Sequence, residues 1–150
     1  MKNQITLTPD FVYEEDTALS EIKPGMLIDK ATVGGNVGMK PHADEGAQAI
    51  RAFATEDALQ GKTKANSYAT GARVSYAIVP RGGKVRALLL AGESVVVGKK
   101  LMSAGHHGPG RLMAGGGGSG SSIEVIGQSE EVLNLTGSGA VDTLIVIRVW

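Results

Sequence analysis

The sequence predicts an all-β protein: a small β-barrel or jelly-roll-like sandwich with an extended N-terminal arm. Three observations lead there. Glycine supplies 22 of the 150 residues, about twice its usual share. Aromatic residues are few (two Phe, three Tyr, one Trp), so Val, Ile and Leu carry the apolar content. Short apolar runs alternate with turn residues along the second half, the spacing of sandwiches and barrels.

Taken in order, residues 1–21 are polar with scattered apolar anchors, and no period of two or 3.6 persists. They are expected to form an arm that orders against a partner, leaving residues 22–150 as one β-rich domain. IKPGMLID, 22–29, places a Pro24-Gly25 turn before a short apolar run. GGNVG, 34–38, is a loop. AQAIRAFATEDA, 47–58, fits two patterns. Ala47, Ile50, Phe53, Ala54 and Ala58 share a helical face, whereas Ile50, Ala52 and Ala54 alternate as in a strand. Periodicity alone favours the helix.

RVSYAIVP, 73–80, alternates, with Val74, Tyr76 and Ile78 on one side. Arg81-Gly82-Gly83 turns the chain into KVRALLLAG, 84–92. The two runs are expected to pair as a hairpin. ESVVVGKKLM, 93–102, is a β-branched stretch broken at Gly98; SIEVIGQ, 122–128, and EEVLNLT, 131–136, are further strands. DTLIVIRVW, 142–150, is apolar on both sides, so both faces are expected to be covered.

Lys plus Arg is 15 and Asp plus Glu is 15. A zero balance gives no electrostatic reason to expect nucleic acid or an anionic membrane. With no cysteine, disulfides and thiolate metal sites are excluded. No apolar run has the length of a signal sequence or a membrane span, so synthesis and residence in the cytoplasm are the expectation.

Motifs of chemistry are present only in spelling. EDALQGKT, 56–63, ends like a phosphate-binding loop, but Glu56 stands where the first glycine belongs. A carboxylate there repels phosphate and its Cβ resists the required backbone. A polar loop closed by Gly61 is the better reading. GGGGSG, 115–120, matches the dinucleotide pattern within a low-complexity run, AGGGGSGSS, rather than between a strand and a helix. GHHGPG, 105–110, has adjacent histidines with no acidic group at ligand spacing, so it reads as an exposed loop and no metal site is assigned. Spacing supports no Ser–His–Asp set. Glu14, Glu15 and Asp16 form an acidic run of the kind that usually makes a solvated face. No catalytic or cofactor-binding residue is assigned.

The stretch from Phe53 to Leu101 reads FATEDALQGKT, then SYATGARVSYAIVPRGGKVRALLLAGESVVVGKKL. Its Leu-x-Gly-Lys-Thr, the Tyr ahead of a Val-rich strand, the Arg-Gly turn and the Ala-Leu-Leu-x-Ala-Gly run resemble the head-decoration, or capsid cement, proteins of tailed bacteriophages. MKPHADEG, 39–46, IEVIGQSEEVLN, 123–134, and DTLIVIRVW extend the resemblance over about residues 22–150.

The resemblance implies a β-rich body on the outer capsid surface of a virion made in the host bacterial cytoplasm. It would clamp neighbouring major capsid protein subunits and stabilise the expanded head, without cofactor or active site. It also implies a strand within 47–58, against the helical count. Self-association is expected, a homotrimer ahead of a dimer. The candidate contact residues are Phe11, Tyr13, Leu19, Ile22 and Trp150, although the same side chains would equally pack on their own domain. Two alternatives stand beside this reading. IDKA, 28–31, resembles the lysine-bearing hairpin tip of lipoyl or biotinyl carrier domains, with Lys30 as acceptor. A ligand-binding module would use the 105–120 loop.

Overall fold

The computed structural model describes residues 4–8, 11–115 and 123–150. Among them there are twelve strands and no α-helix. The all-β expectation holds, and the strands form a closed barrel joined to a second, rolled sheet.

The sheet contains β1 (Val12–Thr17), β2 (Leu27–Val33), β3 (Asn36–Pro41), β4 (Ala52–Ala54) and β5 (Arg73–Ile78). Its order is β1-β5-β4-β2-β3, antiparallel throughout. The barrel contains β6 (Lys84–Leu89), β8 (Lys100–Ser103), β9 (Leu112–Ala114), β10 (Gly127–Ser129) and β12 (Thr143–Val149). It closes in the order β10-β12-β6-β9-β8. A small ribbon pairs β7 (Ser94–Val95) with β11 (Leu133–Asn134).

Alternation along β2, β4 and β5 divides their side chains between two cores. Leu27, Phe53 and Ala77 join the barrel interior, packed with Val85, Leu89, Leu101, Leu112, Ile145 and Ile147. Their neighbours Ile28, Ala52, Ala54, Val74 and Tyr76 face the other way, around Met39, Ile22 and Tyr68. β4, most of β5 and the start of β2 are therefore covered on both sides and form the wall between the cores, while β1 is exposed.

The sheet rolls until its two edges meet. Leu19 N–H donates to Met39 O at 2.8 Å, and Ala18 bridges Met39. Gly38 permits this seam, since a Cβ there would fall 2.3 Å from Thr17 O. The segment before residue 22 thus lies on the body wherever it is described. Thr6 bridges Val85, Ile5 is buried in the barrel core, and β1 pairs with β5 over its whole length.

Several local expectations need correction. The 73–80 and 84–92 runs are strands, but they do not pair with each other. β5 is flanked by β1 and β4, and β6 by β12 and β9. The Arg81–Gly83 connection crosses from sheet to barrel, with Gly82 N–H donating to Val149 O at 2.8 Å. Alternation identifies strands; it does not name their partners. The 47–58 helix is replaced by β4, a strand as the resemblance implied. Arg51, with φ of +55° just before it, lies outside the right-handed helical region. GGNVG is a tight turn at Gly34-Gly35 leading directly into β3. On β12, Ile145, Ile147 and Val149 are fully buried while the opposite face is half-covered.

Candidate functional site

The phosphate-loop spelling folds into a self-contained turn. Asp57 Oδ1 accepts from Gln60 N–H at 3.2 Å, and Gly61 closes the turn at φ +66°. Lys62 sits 3.8 Å from Asp57. Asn66 Oδ1 accepts from both the N–H and the hydroxyl of Thr63, at 2.8 and 3.1 Å. The groups a nucleotide would need are bonded within the loop, as expected of a polar loop closed by Gly61. GGGGSG falls almost wholly outside the described residues, whereas residues 105–115 are described and hold a 3-10 turn at Gly105–His107 and strand β9 rather than one continuous loop.

Lys30 does not occupy a hairpin tip. It lies inside β2 opposite Met39, 3.4 Å from Asp16. The tip is four residues on, at Gly34-Gly35, because those glycines supply the positive φ values the turn requires. The geometry expected of a carrier lysine is absent there.

A Ser–His–Asp set that spacing did not reveal is present in the fold. His42 Nδ1 is 2.7 Å from Ser103 Oγ, and its Nε2 is 3.4 Å from Asp29 Oδ2. Burial pushes the Asp29 carboxyl up, opposed by the nearby imidazole. Both His42 and Ser103 are buried, and Ser103 Oγ also accepts from Gly105 N–H. A nucleophile must reach its substrate; this hydroxyl is enclosed. The network ties β2 and the residue that follows β3 to barrel strand β8.

A surface trough runs along β1. Three adjoining hollows of ≈ 570, 250 and 430 Å³ follow one another there. The first two share Glu15 and Arg73, and the last two share Thr17 and Gly71. Tyr13, Glu15 and Thr17, on one face of β1, run along it. Val33, Val37 and Leu19 line its far end.

The acidic run is more than a solvated face. Tyr76 hydroxyl donates to Glu14 at 2.7 Å, Arg73 Nε donates to Glu15 at 2.6 Å, and Asp16 pairs with Lys30. Burial, reinforced by the Glu14 hydrogen bond, pushes the Tyr76 phenol up, so it stays a neutral donor. Charges on an edge strand also discourage indiscriminate strand addition.

The five sequence candidates are not brought together. Tyr13 is 60% exposed and lines the trough. Leu19 lines its far end. Phe11 packs against the barrel core, its ring centroid 6.3 Å from that of Tyr13. Ile22 is fully buried in the sheet core and presents no surface. Trp150 lies at the end of barrel strand β12, 36% exposed, with Lys100 Nζ 5.3 Å from its ring centroid. Val33 and Val37, exposed beside Leu19, were missed by sequence reasoning. Their only local signal is an apolar residue on each side of a Gly-Gly turn.

No family model matches this chain, and no curated protein does. Among solved structures, it is similar to the head fiber gp8.5 N base in bacteriophage phi29. The TM-score is 0.58 at 15% sequence identity, covering 94% of this chain and 95% of that one. At this identity the likeness is one of fold. That likeness of fold extends over nearly all of this chain.

Proposed function

We propose that this chain is a structural protein of a tailed-phage virion, carried on the outer surface of the capsid. There it contacts neighbouring major capsid protein subunits and stabilises the expanded head. The observation that carries the reading is the fold likeness to a phage head fibre base across 94% of the chain. The resemblance read from residues 22–150 points the same way. The protein acts through area and shape rather than a reactive group, without cofactor, nucleic acid or membrane. Among the described residues, no helix is long and apolar enough to cross a membrane.

The proposed division is an N-terminal arm, residues 1–21, and a body, residues 22–150. The trough along β1 takes the capsid, with Tyr13 and Leu19 as anchors. Phe11 supports Tyr13 from behind, and Trp150 is a contact between sister subunits of a homotrimer. Repetition over a lattice adds avidity, so each contact can be modest. The test is co-sedimentation of purified protein with expanded, undecorated capsids, followed by a thermal melt of the shells. Saturable binding at a fixed ratio to the major capsid protein, with a higher shell melting temperature, is expected. Failure to bind a cognate shell overturns the reading.

A further inference from the structure

We propose that Glu45, His106 and His107 form a binding site for a divalent transition-metal ion of the zinc class. The inference is independent of the capsid reading. One ligand atom from each residue lies within 4.8 Å of the other two. Glu45 Oε2 is 3.3 Å from His107 Nε2 and 3.8 Å from His106 Nδ1. Ligand atoms about 2.0–2.1 Å from a tetrahedral zinc stand roughly 3.3 Å apart. One edge of that tetrahedron is already at length, and the other carboxylate–imidazole edge needs only a small rotation. The two rings are tilted by 37° to each other with centroids 4.0 Å apart, and rotation about their χ angles brings one nitrogen of each toward the ion.

Main-chain contacts bring the three residues together. His106 and His107 belong to a single 3-10 turn that follows β8, and Glu45 lies in the loop after β3. Gly105 presses the turn against the Glu45 backbone. Its φ is +56°, and a Cβ there would fall 2.2 Å from Glu45 N. Ser103 anchors both loops from beneath. Its carbonyl accepts from Gly46 N–H at 3.1 Å, and its hydroxyl accepts from Gly105 N–H at 3.3 Å. The ligand-bearing loops are therefore fixed to one buried point.

Two imidazoles and one carboxylate form a donor set that suits zinc, copper, nickel or cobalt; magnesium and calcium prefer all-oxygen sets. Three protein ligands leave a fourth position, filled by water or by a donor from another molecule. All three residues are exposed, so that position faces outward.

The experiment is calorimetric titration of the full chain with zinc chloride after chelator treatment and dialysis. Magnesium chloride is the comparison, and thermal melts are run with and without each metal. One zinc per chain, a raised melting temperature and no response to magnesium are expected. His107→Ala and Glu45→Gln each weaken zinc binding by roughly tenfold or more, since even removal of outer supporting groups costs about 10–100-fold. Because these side chains are exposed, the variants should melt like the parent in chelator, separating ligand loss from misfolding. Gly105→Ala retains all three ligands but displaces the turn, and it should also weaken binding. Absence of saturable zinc binding overturns the proposal. So does parent-like affinity in both His107→Ala and Glu45→Gln, or equal binding of magnesium.

Discussion

Gly38→Ala tests the seam that rolls the sheet shut and holds β1 beside the trough. Gly38 has ordinary negative-side backbone geometry, so the substitution carries no left-handed penalty. Its effect is steric. The new methyl would meet Thr17 O at 2.3 Å and Leu19 Cγ at 3.1 Å. Restoring ordinary contact at about 3.5 Å requires the Thr17 backbone to withdraw by roughly 1 Å. If the body absorbs the methyl, the expected cost is that of overpacking, about 1–3 kcal/mol. If the seam opens, the Leu19 N–H to Met39 O bond is lost, at about 1 kcal/mol, together with some burial of Leu19. Either route should lower the melting temperature by roughly 2–10 °C in a chain of this size. Amide hydrogen exchange separates the routes. Opening removes protection from Leu19 N–H, while Ala18 N–H, bonded to Ala72 O at 2.8 Å, keeps it. A variant with parent-like melting and unchanged Leu19 exchange would refute the tight-seam argument.

Gly25→Ala and Gly34→Ala form a second pair. Both positions have positive φ, but a Cβ at Gly25 would meet Leu144 Cδ2 at 2.3 Å and Arg86 O at 3.2 Å, whereas Gly34 has nothing within 4 Å. In urea, Gly34→Ala should lose about 1 kcal/mol and Gly25→Ala a further 1–3 or so; equal losses would contradict the packed joint at Gly25. Glu130 accepts from Arg148 and lies 2.9 Å from Lys84, and these partners hold its carboxyl below the usual glutamate range. That stabilisation is present above the unfolded-state pKa and lost as pH falls through the lower folded value. Glu130→Gln should therefore melt below the parent at neutral pH and converge with it in acid; a constant gap would count against the ion pairs. Tyr13→Ala and Leu19→Ala should weaken capsid co-sedimentation, whereas Ile22→Ala, buried in the sheet core, should cost about 2–5 kcal/mol of stability before any binding is measured.

What the sequence disclosed depends on how far apart the interacting residues are. Val74 and Tyr76 alternate with Ala77 and Val79 into opposite cores, and that local period was legible. The partners of β5 were not, because pairing with residues 12–17 and 52–54 leaves no mark in the 73–80 run itself. Gly34-Gly35 marked a chain reversal, but only the pairing of β2 with β3 shows it to be the hairpin tip, with Lys30 inside the strand. Glu45 and the His106-His107 pair are about sixty residues apart, so no ligand-spacing rule joins them until β8 returns beside the loop after β3. Candidate contacts are illegible for another reason. Ile22 and Tyr13 look alike as apolar anchors in a polar segment, yet one fills a core and the other lines a trough. Transfer from water favours burial against any apolar surface, whether in the same chain or another. Residue type states that a side chain seeks cover; only the fold states whether its own chain already supplies it. That distinction makes Tyr13 and Leu19, rather than Ile22, the residues proposed to meet the capsid.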